Sequence, residues 1–128
     1  DVTFHVRRSA LPRPGSEEQL LDLVHNLTLR GAKVWVYGAS TKGNVLLQWW
    51  GLTDRVIVAA ADKSVEKHGK FTVGTGIPIK SLQDFRDAAP DYAIILPYTF
   101  EREILEQEAA WRAKGGRFIV PIPEVRVV

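Results

Sequence analysis

KVWVYGASTKGN, residues Lys33 to Asn44, decides the reading of this chain. Lys33–Tyr37 is a short apolar, β-rich run that leads straight into a glycine turn. Thr41–Trp50 follows and reads as a helix, with Val45, Leu46, Trp49 and Trp50 supplying apolar surface. The turn, Gly38-Ala39-Ser40-Thr41-Lys42-Gly43, is a G-x-S-x-x-G variant of the dinucleotide G-x-G-x-x-G, with Ser40 in the middle position. Gly38 lets the chain leave the strand sharply, a small residue at 40 lets an anion approach the backbone, and Gly43 lets the helix pack closely on the strand. Exposed amides and the helix dipole favour a phosphate there. Ser40, Thr41 and Asn44 add hydroxyl or amide hydrogen bonds, and Lys42 adds charge. Two readings of the bare pattern stay open: an anion-binding loop, or a tight strand-to-helix turn without a ligand. The Walker form does not fit, because Lys42 precedes Gly43 rather than following it.

Outward from this stretch the pattern continues. Arg55–Ala61 is a second buried strand closed by Asp62, 24 residues after Gly38. An acid near that point binds the ribose in dinucleotide sites; the alternative is that Asp62 caps the next loop. A polar, glycine-rich loop spans Lys63 to Gly76, and its Lys63, Lys67 and Lys70 are candidates to neutralise a diphosphate. Ile77–Ile79 is a third strand, placed at an edge by Pro78. Ser81 caps a short helix through Asp87, Asp91–Leu96 is a fourth strand, Phe100–Ala113 a helix, and Arg117–Val120 a fifth strand. Upstream, Ser16 and Gln19 form a candidate capping box for a helix burying Leu20, Leu21, Val24, Leu27 and Leu29. Residues 1–15 read as a strand and linker, and 16–128 as one domain. Near-continuous apolar strands alternating with helices predict an α/β fold: a Rossmann-like three-layer sandwich with a mostly parallel five-stranded sheet.

The totals narrow the function. At 128 residues the chain holds one core. Hydrophobic residues at 45% and charged residues at 25% belong to a globular protein. Seventeen basic against fifteen acidic groups leave no clustered basic face, so nucleic acid is not an expected partner. Cysteine is absent, which removes disulfides, thiolate metal sites and cysteine catalysis. His5, His25 and His68 lack ligand spacing, so no metal is expected. Glu101, Arg102, Glu103, Glu106 and Glu108 read as the solvent face of their helix. No apolar run reaches a membrane span and no signal pattern opens the chain, so the expected compartment is the cytoplasm. Asp1 in place of methionine reads as a cut end. No nucleophile–base pair is visible, and no catalytic residue is assigned.

The ordered motifs resemble a known family. Gly38-Ala39-Ser40-Thr41-Lys42-Gly43-Asn44-Val45-Leu46-Leu47 is similar to the signature of the C-terminal domain of sugar C-methyltransferases. So are Ala61-Asp62-Lys63 with Glu66-Lys67, Phe71-Thr72 with Gly74 to Ile79, Asp91-Tyr92 with Leu96-Pro97, and the closing Gly115 to Val125. The resemblance covers about Gly31 to Val128. It implies a Rossmann-like, substrate-side domain that lies against a central S-adenosylmethionine-binding domain of the same enzyme. It implies a nucleotide-sugar in the cleft between the two, with Lys63, Thr75, Pro97, Tyr98 and Thr99 as candidate cleft residues. It also implies that S-adenosylmethionine serves the full-length enzyme, that this domain binds no cofactor, and that it does not methylate alone. The family's L-P-W-H-F reads Leu96-Pro97-Tyr98-Thr99-Phe100 here, so the role of that histidine does not carry over. The competing expectations are a module for another nucleotide such as NAD, supported by the turn and Asp62 alone, and an interaction domain with an empty turn.

Overall fold

The structure, a computed structural model, describes residues 16–128. The expected strand and linker over 1–15 lie outside the described residues. The elements are α1 (Ser16–Leu29), β1 (Val34–Tyr37), α2 (Thr41–Trp50), β2 (Ala60–Ala61), β3 (Ile79–Lys80), α3 (Leu82–Ala88), β4 (Tyr92–Ile95), α4 (Glu101–Gln107), α5 (Ala109–Ala113), β5 (Arg117–Val120) and β6 (Arg126–Val127). Among the described residues they build one sheet of order β3-β2-β1-β4-β5-β6. The first five strands run parallel, and β6 pairs antiparallel with β5. The fold is the expected Rossmann-like α/β sandwich, with six strands rather than five. The sixth is Arg126–Val127, whose pairing continues in reciprocal bonds between Phe118 and Val128 of 3.0 and 2.9 Å. A pair of residues is too short for periodicity to reveal, and its pairing with β5 makes it a strand.

Alternation along β1 explains the two layers. Val34 and Val36 face a core shared with Leu20, Val24, Leu46, Leu47 and Trp50 of α1 and α2. Trp35 and Tyr37 face the opposite core, with Phe85 of α3, Trp111 of α5 and Phe118 of β5. That second layer is held by edge-on aromatic contacts, among them Trp111–Phe118 at 4.7 Å and Tyr37–Phe85 at 5.4 Å between ring centres. The Trp111 indole Nε1 donates to the Pro90 carbonyl at 2.8 Å, so its polar atom is satisfied inside the core. Of the four tryptophans, Trp35, Trp50 and Trp111 are buried and Trp49 is 55% exposed.

Four local expectations change, and one of them is the third strand, expected over Ile77–Ile79 and found at Ile79–Lys80. Leu29 is exposed, not buried: it stands nine residues after Leu20, half a turn round the helix from the Leu20, Val24, Leu27 face. Arg55–Ala61 shortens to Ala60–Ala61 as regular strand, although Val58 and Ala59 already bond to β1 through Val34 and Val36. The single helix over Phe100–Ala113 breaks at Glu108, whose φ of −105° and ψ of 30° separate α4 from α5. Ser81 caps α3 as expected, and its capping box is completed by Asp84.

Candidate functional site

The sheet order places a reversal between β1 and β4. From β1 the chain builds outward one way to β2 and β3, then returns to build β4 and β5 on the other side. Open α/β sheets bind ligands at the carboxyl ends of the strands beside such a reversal. A recess of about 310 Å³ opens there. Gly38, Ala39 and Ser40 line it from the turn after β1, Asp62 and Lys63 from the end of β2, and Pro97 from the end of β4. Leu82, Phe100 and Ile104 form an apolar wall, and Tyr37, Glu103 and Gln107 add polar groups.

The turn is held close to the end of β4. Gly38 has φ of 98°, and a Cβ there would lie 2.8 Å from Pro97 Cδ. A Cβ on Gly43 would lie 2.9 Å from Leu96 Cδ1, which is the close helix-to-strand approach read from the sequence. Ser40 is the N-cap of α2, and its Oγ accepts from the Gly43 amide at 3.1 Å. The amides of Thr41 and Lys42, in the first helical turn, donate to no acceptor among the described residues. They are the donors left for an anion.

Asp62 is part of the turn itself. One carboxylate oxygen accepts from the Ala39 amide and the other from the Ser64 amide, each at 2.8 Å. Lys67 donates to the Ala39 carbonyl at 3.1 Å, and its ammonium stands 3.8 Å from Asp62. A phosphate at the Ala39 amide would have to displace a carboxylate. Room for an anion lies on the Ser40 side, at the start of α2. Of the loop lysines, Lys63 is exposed at the recess, Lys67 is committed to Asp62 and Ala39, and Lys70 is exposed away from the lining.

The other sequence candidates separate. Lys42 lies over the Tyr98 ring, 5.4 Å from its centre. Tyr98 and Thr99 line a shallower groove with Arg102 and Leu105, outside the recess. Asn44 carries a buried Oδ1 with no hydrogen-bond partner among the described residues. Thr75 is buried inside its own loop: its hydroxyl meets that of Thr72 and its carbonyl accepts from the Asp54 amide. Thr41 is exposed on the first turn of α2. Among the described residues no group of three or more histidine, aspartate or glutamate side chains is arranged to hold a metal. No described helix is long and apolar enough to cross a membrane.

The sequence reading missed the polar group beneath the recess and placed Glu108 on the solvent face. Glu108 is 1% exposed. Arg86 grips its carboxylate with two bonds, Nε to Oε1 at 2.9 Å and Nη2 to Oε2 at 2.8 Å. The Tyr37 hydroxyl donates to Oε2 at 2.6 Å, and Gln107 Nε2 donates to the Tyr37 oxygen at 2.8 Å. Burial alone would raise the Glu108 carboxyl, but the bonds from Arg86 and Tyr37 outweigh it and hold the group below its ordinary range. Burial, and then the Glu108 carboxylate, push the Tyr37 hydroxyl well above its ordinary range. A signal for this was present: Ile104, Glu108 and Trp111 stand at i, i+4 and i+7, so the glutamate lies on the apolar stripe.

Residues 14–123 match the profile of a family described as C-methyltransferase C-terminal domain. The C-methyltransferase NovU of Streptomyces niveus is 41% identical over 110 residues, 86% of this chain and 26% of that protein. A shorter segment of 30 residues is 63% identical to part of a protein named "Probable diacyglycerol O-acyltransferase tgs3" in Mycobacterium tuberculosis (strain ATCC 25618 / H37Rv), covering 23% of this chain and 11% of that protein. The chain therefore spans about a quarter of the length of NovU and about a tenth of the acyltransferase.

Proposed function

Because the chain belongs to the C-methyltransferase C-terminal domain family, we propose that it is the nucleotide-sugar-binding side of an S-adenosylmethionine-dependent sugar C-methyltransferase. In this reading it holds the substrate for a separate S-adenosylmethionine-binding domain of the same enzyme and is not catalytic alone. The observation that carries it is the recess at the strand-order reversal, which joins an open helix N-terminus to an apolar wall. A diphosphate fits the Ser40 side of the turn, within reach of the free Thr41 and Lys42 amides and the Ser40 hydroxyl proton, with Lys63 supplying charge from across the recess and Lys42 standing nearby over Tyr98. A ring fits against Leu82, Phe100 and Ile104. Asp62 supports this reading over a dinucleotide, because its carboxylate is already bound to the turn and to Ser64. S-adenosylmethionine supplies the methyl group when bound to the rest of the enzyme; this chain's residues bind and orient the acceptor.

The test is an amide-shift titration of the chain with thymidine diphosphate, a thymidine-diphosphate sugar, NAD and S-adenosylmethionine. The expected result is movement of the Gly38–Asn44 amides with the first two ligands only. Movement with NAD alone would replace the proposal by a dinucleotide site. No movement with any ligand would leave the turn a structural element.

A further inference from the structure

The side chain of Gln107 has its orientation dictated by the group beneath the recess. The Glu108 carboxylate, ionised between the two Arg86 bonds, is an acceptor only. The Tyr37 hydroxyl, 2.6 Å from it, must be the donor of that bond. Having given its one proton, the Tyr37 oxygen can only accept, so the Gln107 atom 2.8 Å away must be the amide nitrogen. The same nitrogen lies 3.4 Å from Glu108 Oε2. A turned amide would press its carbonyl oxygen on the phenol oxygen and the carboxylate with no proton between them. The carboxamide is planar, so Oε1 lies on the side away from Tyr37. Gln107 is exposed, lines the recess, and its Oε1 accepts none of the described hydrogen bonds.

We propose that Gln107 is the specificity-determining acceptor of the recess: its Oε1, fixed through Tyr37, Glu108 and Arg86, takes an N–H or O–H donor of the bound nucleotide-sugar. This rests on the nucleotide-sugar reading above. The donor is either the imide N–H of a pyrimidine base or a hydroxyl of the sugar, and both present the same chemistry to Oε1. Phe100 and Ile104 beside it keep competing water from the acceptor once a ring is seated. A ligand with an acceptor or a methyl group at this point leaves Oε1 unpaired, and that loss is what discriminates. Tyr37 acts through Gln107 and is a positioning residue.

The experiment is titration calorimetry of the chain, native and Gln107→Met, with thymidine diphosphate, its N3-methyl analogue and a thymidine-diphosphate hexose. Gln107 is exposed, and Gln107→Met loses its bond to the Tyr37 oxygen but no core packing, so the variant is expected to stay folded with a melting temperature within a few degrees of the native one. For the donor-bearing ligand the variant is expected to bind about tenfold more weakly, the scale of one neutral hydrogen bond. If the base supplies the donor, the N3-methyl analogue binds the native chain as weakly as thymidine diphosphate binds the variant. If the sugar supplies it, the loss is confined to the hexose ligand. Tyr37→Phe removes the 2.8 Å partner of the amide nitrogen and leaves only the 3.4 Å contact to Glu108, which loosens the amide, and is expected to narrow the gap between the donor-bearing ligand and its blocked or sugar-free counterpart. A merely structural tyrosine would not change that selectivity. Equal binding of all three ligands by native chain and Gln107→Met overturns the assignment while the nucleotide-sugar reading stands. No binding by the native chain overturns that reading, and the assignment with it.

Discussion

Glu108 is the residue on which stability depends most sharply on pH. Its folded carboxyl sits below the ordinary value of about 4.3, so its contribution is present above that pH and is lost as pH falls through the folded value. Tyr37 is held above the ordinary value of about 10, so its contribution is present below that pH and is lost as pH rises toward the folded value. Melting temperature is therefore expected to be flat between these limits and to fall on both sides. Glu108→Gln should lose about 2 kcal/mol on the flat part and show a weaker acid-side slope. Parallel native and variant curves in acid would assign that slope to another group. Arg86→Ala strands a carboxylate that is 1% exposed and should cost about 3 kcal/mol in denaturant unfolding. None of this was legible in a run of glutamates whose neighbours face water; only the i, i+4, i+7 spacing with Ile104 and Trp111 marked Glu108 as different. The turn was more legible. Gly38 reads from the sequence as the sharp exit from the strand and Gly43 as the close helix-to-strand approach; Gly38 has φ of 98°, and Pro97 and Leu96 stand where a Cβ on Gly38 or Gly43 would go. Gly38→Ala combines a positive φ with that collision and is expected to cost about 2 kcal/mol or more by the same unfolding measurement.

At the scale of elements, α3 depends on a few single contacts. It has one buried residue, Phe85, and one capping side chain at its start, Ser81. Ser81→Ala should cost about 1 kcal/mol, and Phe85→Ala about 4 kcal/mol by emptying the middle of the aromatic layer. Hydrogen exchange gives the check: after Phe85→Ala the α3 amides should lose more protection than those of α2 on the opposite face. Ser40→Ala should lose a similar amount to Ser81→Ala, because both remove an N-cap, yet only Ser40 lies at the recess. Elements with a long apolar signal were legible from the chain: β1, β4 and β5 read as VWVY, YAII and RFIV and occur where expected. Elements defined by their partner were not. β6 exists through its bonds to β5, and Glu108, at the junction of α4 and α5, has its partners Arg86 and Tyr37 far away along the chain. Neither pairing is local in sequence.

Across the whole molecule, the reversal beside β1 gathers the ends of β1, β2 and β4 at one edge, the edge at which open α/β sheets take their ligands. The α3–α4 layer supplies the wall and the polar group beneath it, while the α1–α2 layer supplies the turn. Stability and the proposed recognition thus share one face, and a variant there has to be measured for both. The distribution of tryptophan makes this practicable. Three of the four indoles are enclosed and Trp49 alone is half open. A collisional quencher such as iodide should therefore reach one emitter in the native chain and all four after unfolding. The protein reports its own integrity in its ultraviolet emission, with no label attached.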